Sequence, residues 1–275
     1  MNNNKKALLL IGSPKVEKST SASLGNYLIS KLEKSGMSIE KGFIYKIINR
    51  EEKIKELFKM IDNTDLIILS FPLYIDCLPA PVIKAMELIK EGRDNLEIKN
   101  TPSLMAICNN GFPESSQNMI ALQICRVFSK DCGFAWKGGI PVGGGGAING
   151  APLKKRKGMV RNIIKGLDIA AKDLANGREI PQKAINIISK KVASYNLYRI
   201  FANLEFRFQL NPILLTGLIT LGLILLISGT PLTIYGIIIK DMVDLNIGIA
   251  CLIIGGDFFI YGMIFRINIK KKKSI

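Results

Sequence analysis

Histidine is absent from the 275 residues of this chain, and its absence excludes several classes of chemistry. Histidine-based zinc sites need imidazole ligands, and Ser-His-Asp or Cys-His catalysis needs imidazole as a general base. The cysteines also lack any C-x-x-C spacing, so we expect them to be small buried apolar residues in a reducing compartment: Cys77, Cys108, Cys125, Cys132 and Cys251. Histidine-based zinc sites and histidine-dependent catalysis are therefore excluded, and no metal site and no catalytic side chain are predicted.

Acidic residues are few relative to basic ones, which leaves a formal net charge of +16. Such a balance favours an anionic partner, and both nucleic acid and anionic lipid qualify. Basic residues lie on both sides of an apolar C-terminal region, at Lys190, Lys191, Arg199 and Arg207 before it and at Lys270 to Lys273 after it. Lipid is the simpler explanation, and no nucleic-acid partner is predicted.

Buried-strand patterns alternate with helical apolar stripes along residues 1–178. Apolar runs predict five strands, at 6–11, 65–74 and 102–111, less regularly at 39–48, and with interruptions at 134–146. Apolar residues at helical spacing predict a helix after each strand, within 24–32, 54–61, 82–89, 119–128 and 160–174. Five strand and helix pairs in alternation predict an α/β fold with a doubly wound parallel sheet.

The turn after the first strand is rich in hydroxyl groups, at Ser13, Ser19, Thr20 and Ser21. Hydroxyls and free backbone N–H groups at a helix N-terminus suit a phosphate dianion. Neither G-x-G-x-x-G nor G-x-x-x-x-G-K-[ST] occurs in the chain, so the common phosphate-binding fingerprints are missing. Serine and threonine also cap helices that bind nothing, and the turn alone leaves both interpretations open.

Two further strand ends carry residues suited to a ring system. Pro72, Leu73 and Tyr74 follow the third strand and could stack on a planar group, although a core tyrosine near a loop would look the same. Asn109, Asn110 and Gly111 follow the fourth strand and offer amides for a polar ring edge, although Asn-Gly is also an ordinary turn. In the strand order 2-1-3-4-5 these ends surround one crevice, which favours a shared site.

For two loops near the fifth strand, the sequence favours an ordinary surface loop over a ligand contact. The run Gly143 to Gly146 could approach a ligand closely, but a flexible surface loop is the favoured interpretation. The basic run Lys154 to Lys157 could attract the phosphate of NADPH or lipid headgroups, but a solvated loop is the default.

Three stretches resemble the NADPH-dependent FMN reductases and NAD(P)H-quinone oxidoreductases of the flavodoxin-like group: "GSPKVEKSTSASLGNYL", "DLIILSFPLYIDCLPAPVIKAMELI" and "AICNNGFPESSQN". The resemblance implies FMN, with its phosphate held by Ser13, Ser19, Thr20 and Ser21, its ring against Pro72, Leu73 and Tyr74, and the polar ring edge met by Asn109, Asn110 and Gly111. Lys15 stands where many members of the group carry arginine. The compact cysteine motif of the iron-sulfur branch is missing, so no cluster is expected.

The resemblance also implies an activity and a partner. An FMN enzyme of this group takes electrons from NAD(P)H and passes them to a quinone or another small acceptor, and the flavin performs the chemistry. Related reductases commonly form homodimers, so a homodimer is expected. Two alternatives remain: a non-enzymatic flavin-binding module for electron transfer or redox sensing, and a domain that has lost FMN and serves as a membrane scaffold.

The C-terminal region predicts a membrane anchor. Residues 208–239 carry no charge, and within 245–265 the only charge is Asp257, so each stretch is long enough to span a bilayer. We expect a domain at 1–178, a basic amphipathic linker at 179–210, lying on the membrane or packed on the domain, and a two-span anchor at 211–275. Asp257 is either a quinone contact or a protonated side chain bonded to the neighbouring helix. The positive-inside rule puts both chain ends in the cytoplasm of a multi-pass membrane protein.

Overall fold

The computed structural model of the chain describes residues 5–95, 97–156, 158, 160–191, 199–200, 203, 220–221 and 223–227. By contacts between Cα atoms, the chain divides into Met1–Ser194 and Tyr195–Ile275. Of the predicted anchor, only residues 220–221 and 223–227 are described. Cys251 and Asp257 lie outside the described residues. Among helices in the described part of the chain, none combines the length and the apolar character that a membrane crossing requires.

Five parallel strands form the sheet of the first unit. They are β1 (Lys6–Ile11), β2 (Ser38–Phe43), β3 (Leu66–Pro72), β4 (Ser103–Asn109) and β5 (Ala135–Val142). Their order is β2-β1-β3-β4-β5, and every neighbouring pair is parallel. The predicted doubly wound sheet is confirmed, and its order is that of the flavodoxin-like fold.

The central strands are continuous apolar runs because helices cover both faces of the sheet. In β1, Ala7, Leu9 and Ile11 enter one core while Leu8 and Leu10 enter the other. The helices are α1 (Thr20–Lys34), α2 (Ile44–Ile47), α3 (Glu51–Asp62), α4 (Ala80–Asp94), α5 (Met119–Asp131), α6 (Arg161–Ala175) and α7 (Gln182–Ile188). The first core includes residues of α1 and α6, and the second includes residues of α3, α4 and α5.

The second strand is shorter than the sequence predicted. The predicted strand ran to Ile48, but β2 ends at Phe43 and the chain turns into the short helix α2. Ile44 and Ile47 are three residues apart, so one helical turn buries both, whereas an extended chain would place them on opposite faces. The apolar residues of this stretch therefore follow the helical period beyond Phe43.

Helix α7 lies in the stretch predicted as a linker, and it packs against α6. A Cβ atom at Gly166 of α6 would stand 2.2 Å from Cγ1 of Ile188 and 2.8 Å from the carbonyl oxygen of Ala184. Glycine at 166 thus permits a close helix approach that a side chain would block. Of the two interpretations of the linker, the packed helix holds for residues 182–188.

Candidate functional site

The carboxyl ends of four strands are joined by backbone hydrogen bonds into one edge. The Gly12 N–H, after β1, donates to the Ser70 carbonyl of β3 at 2.8 Å. The Leu73 N–H, after β3, donates to the Asn109 carbonyl at 2.8 Å, and the Asn110 N–H donates to the Val142 carbonyl of β5 at 3.0 Å. The loops that follow β1, β3, β4 and β5 therefore leave the sheet side by side.

Helix α1 presents its N-terminus to this edge. Ser19 is its N-cap, and the Ser19 Oγ accepts from the Ala22 N–H at 3.0 Å while donating to the Val16 carbonyl at 2.7 Å. The Ser23 Oγ donates back to the Ser19 carbonyl at 3.1 Å. Because an α-helix supplies no internal acceptors for its first N–H groups, that of Thr20, a partly exposed residue, is available to an anion.

Ser21 is tied to the ends of β3 and β4 by its own side chain and its own carbonyl. The Asn109 Nδ2 donates to the Ser21 Oγ at 2.8 Å and to the Phe71 carbonyl at 2.8 Å. The Ser70 Oγ donates to the Ser21 carbonyl at 2.8 Å. These bonds join the predicted phosphate turn to the predicted ring-edge loop.

The glycine run after β5 completes the crevice, although the sequence favoured a flexible surface loop. The Gly145 carbonyl accepts from the Thr20 Oγ1 at 3.1 Å, and the Gly145 N–H donates to the Asn110 carbonyl at 2.8 Å. A Cβ atom at Gly143 would lie 2.5 Å from the Pro113 carbonyl oxygen. Only glycine permits these backbone approaches at Gly143 and Gly145.

The loop after β3 forms a tight turn with an exposed tip. Tyr74 and Cys77 exchange backbone hydrogen bonds at 2.9 and 3.0 Å, and Ile75 and Asp76 between them have φ values of +48° and +58°. A β-branched residue is costly in this left-handed region, so surrounding structure must hold the turn. The Ile75 side chain is fully exposed, and Tyr74 is 45% exposed.

Tyr45 of α2 is a neighbour of this turn that the sequence gave no reason to include. Burial raises the pKa of the Tyr74 hydroxyl, and it raises the pKa of Tyr45, which the proximity of Tyr74 raises further. Both phenols therefore stay neutral at physiological pH and act as aromatic surfaces and hydrogen-bonding groups.

The loop after β4 leaves one polar atom without a partner and one open face. The Asn110 Nδ2 donates to the Glu114 carbonyl at 2.9 Å, whereas the Asn110 Oδ1 is buried and has no partner among the described residues. A buried acceptor without a donor is costly, and such atoms often mark a ligand contact. Cβ atoms at Gly111 and at Gly146 would meet nothing within 4 Å, so both residues border open space.

Cys108, next to Asn109 in β4, is not a reactive thiol. Its Sγ donates to the Asn118 Oδ1 at 3.2 Å, and burial raises its pKa far above the ordinary range. Burial also raises the pKa of Cys125 to about 12. A thiol needs its thiolate form to act as a nucleophile, so these two residues are packing groups, as predicted.

The structure thus brings the predicted phosphate turn and both predicted ring loops to one edge. Ser13 is buried directly after β1, Ser19, Thr20 and Ser21 form the start of α1, and Pro72 ends β3 in register with Asn109. Five of the side chains already have partners inside the protein, namely Ser19, Thr20, Ser21, Asn109 and Asn110. Tyr74 and Gly111 are the predicted residues that face solvent most openly.

No protein-family model matches the chain, and no curated protein matches it. Solved structures do align with it. An FMN-dependent NADH-azoreductase from Bacillus anthracis str. Ames Ancestor, in complex with FMN, is 14% identical with a TM-score of 0.48, and the alignment covers 62% of this chain and 100% of the azoreductase. An NAD(P)H:quinone oxidoreductase from Methanothermobacter marburgensis is 15% identical with a TM-score of 0.47, covering 62% of this chain and 95% of that protein.

A third alignment is with the Trp repressor binding protein from Bacillus subtilis, at 9% identity and a TM-score of 0.45, covering 59% of this chain and 95% of that protein. At these identities and scores, the fold assignment depends on the strand order of the chain itself.

Proposed function

We propose that this chain is an FMN-dependent NAD(P)H oxidoreductase that passes electrons to a quinone or another small acceptor. The observation that carries the proposal is the hydrogen-bonded edge in which Ser21, Asn109, Leu73 and Gly145 join the ends of four strands. Ligands of doubly wound sheets bind outside the carboxyl ends of the strands, near the point where strand order reverses. That point lies between β1 and β3 in this sheet.

The start of α1 has the donors that a phosphate monoester needs. The backbone N–H of Thr20 lies in the first turn, which supplies no internal acceptor for it, and the helix dipole adds attraction for a dianion. Ser19 uses its hydroxyl to hold this turn in place. Lys15 and Lys18 are exposed beside it and add positive charge. The residues present therefore fit the phosphate end of FMN.

The other two loops have the features that a ring system needs. Gly111 and Gly146 border open space, and the half-exposed Tyr74 supplies an aromatic surface for stacking. The buried Asn110 Oδ1 lacks a donor, and a ring N–H would satisfy it after a small local adjustment. The residues present also fit the isoalloxazine.

FMN, when bound, supplies a ring that accepts a hydride from NAD(P)H and passes two electrons to an acceptor. The chain contributes orientation: the α1 N-terminus fixes one end of the cofactor and the Tyr74 turn fixes the other. The scheme needs no general acid or base from the protein, which agrees with a site built from hydroxyls, amides and glycines.

Titration of the purified full-length protein with FMN tests the first part of the proposal. We expect quenching of FMN fluorescence and a shift of its visible absorbance with a defined endpoint. Thr20→Val should weaken FMN binding several-fold because it removes the hydroxyl bonded to Gly145. Thr64→Val is the matched control, since the Thr64 Oγ1 also donates to a backbone carbonyl, that of Lys6, at the opposite edge of the sheet. A protein without FMN affinity contradicts the proposal.

Turnover separates the enzyme from a non-enzymatic flavin module. We expect the FMN-loaded protein to oxidise NAD(P)H faster with a soluble menaquinone analogue than free FMN does. FMN binding without acceleration would instead favour the electron-transfer or redox-sensing module.

A quinone acceptor agrees with the anchor proposed for residues 211–275, which would hold the domain at the cytoplasmic face of a membrane. Fractionation of cells expressing the full chain and a chain ending at residue 194 tests the anchor, and light scattering of the purified protein tests the proposed homodimer. The anchor proposal fails if both chains remain in the supernatant.

A further inference from the structure

Asn109 has no N–H left for a ligand. An amide side chain carries two N–H donors on one nitrogen, and here one is given to the Ser21 Oγ and the other to the Phe71 carbonyl, both at 2.8 Å. The two acceptors fix the orientation of the amide, because the reversed orientation would place its oxygen against the Phe71 carbonyl. Asn109 is also 4% exposed, so its side chain is part of the protein interior.

The same bonds hold Ser21 from two sides. The Asn109 amide reaches its hydroxyl oxygen, and the Ser70 hydroxyl reaches its carbonyl at 2.8 Å. Ser21 and Ser70 are 1% and 0% exposed, so water does not compete for these bonds. Ser21 is thereby fixed on both its side chain and its backbone, and with it the first turn of α1.

We propose that Asn109 is a positioning residue: by holding the buried Ser21, it fixes the first turn of α1 so that the partly exposed backbone N–H of Thr20 addresses the phosphate monoester at the α1 N-terminus. The inference rests on the proposed function and assigns Asn109 a role in phosphate recognition in place of the predicted contact with the ring edge. Its consequence is selective: loss of the Asn109 side chain weakens binding of the phosphorylated flavin and spares the flavin that lacks phosphate.

The test compares FMN with riboflavin, which share the ring and differ in the phosphate. In the full-length protein, Asn109→Ala should bind FMN about tenfold more weakly and change riboflavin affinity less than about twofold. Asn100→Ala is the matched control, since the Asn100 Nδ2 also donates to a backbone carbonyl, that of Thr64, beyond the opposite end of β4. The control should retain the ratio of FMN to riboflavin affinity found for the wild-type protein.

A second variant keeps the test available should Asn109→Ala fail to fold. Ser70→Ala removes only the bond to the Ser21 carbonyl, and it should lower the same affinity ratio by a few-fold. Equal losses of FMN and riboflavin, or no loss of either, would overturn the positioning role while leaving the proposed function intact. A wild-type protein that binds neither flavin overturns both proposals.

Discussion

The four consecutive glycines after β5 should respond differently to the same substitution, and the contrast tests the packing of the crevice. A Cβ atom at Gly143 would lie 2.5 Å from the Pro113 carbonyl oxygen and 3.0 Å from the Ser115 nitrogen, both backbone atoms that cannot rotate away. A Cβ atom at Gly146 would meet nothing within 4 Å. Gly143 is therefore tightly packed and Gly146 is open, although both belong to the same run of glycines.

The expected magnitudes follow from these distances. Gly143→Ala forces the two loops apart, and overpacking of this kind costs about 1–3 kcal/mol of unfolding free energy. Gly146→Ala adds no contact and restricts the unfolded chain, so it should leave the stability unchanged or raise it by up to about 1 kcal/mol. Gly144 has a φ of +67°, and alanine there should cost about 1 kcal/mol from the left-handed conformation alone.

Urea unfolding measured by tryptophan fluorescence suits this comparison. Trp136 is the single tryptophan of the chain and lies in β5, the strand that leads into the glycine run. Circular dichroism recorded on the same samples checks that the whole sheet unfolds with β5. If Gly143→Ala and Gly146→Ala have the same midpoint and slope, the loop does not pack on Pro113 and the crevice described above is wrong.

Three further substitutions test other features of the first unit. Ser19→Ala removes the side chain that caps the Ala22 N–H and should lower the unfolding free energy by about 1 kcal/mol, measured by urea titration; an unchanged midpoint would show that the cap is not formed. Ile75→Gly relieves a left-handed β-branched residue and should raise stability by about 1 kcal/mol in the same assay; a loss of stability would show that the turn is unstrained. The pKa of Cys125 rises from 9.0 to about 12 on burial, so the unfolded chain releases this proton first and stability falls as pH rises from 9 towards 12. At pH 10 the loss is about 1 kcal/mol for this thiol, so Cys125→Ala should flatten the pH dependence of the unfolding free energy, and an unaltered slope would contradict the burial.

The sequence predicted the sheet well because its strands and helices have local signatures. Buried parallel strands such as β1 and β3 are continuous apolar runs, and their alternation with helices predicts a parallel sheet. The predicted end of β2 was wrong because the apolar residues at 44 and 47 fit a helical turn. A short apolar stretch does not distinguish the helical period from the strand period. Local pattern therefore specified the elements better than their boundaries.

The site was less predictable because its residues meet across long stretches of chain. Ser21 and Asn109 are 88 positions apart, and no local pattern shows that one bonds to the other. The sequence could place both at the carboxyl edge of the sheet, but it could not show that their side chains bond to each other. The glycine run was misread for the same reason, since only the Pro113 carbonyl, far away in sequence, reveals that Gly143 must lack a side chain.

The hydrogen bonds that the crevice residues already make within the protein affect the free energy of binding of any ligand. Hydroxyls and amides that already have partners do not need to be ordered when a ligand binds, so the cost of fixing them falls on folding rather than on binding. The donor that remains belongs to a fixed helix start and is chiefly the N–H group of Thr20. Affinity and stability are therefore coupled at this edge, through Ser19, Ser70 and Asn109. At the opposite edge, Thr64 and Asn100 make hydrogen bonds of the same kind, so their loss should lower stability while leaving ligand affinity unchanged.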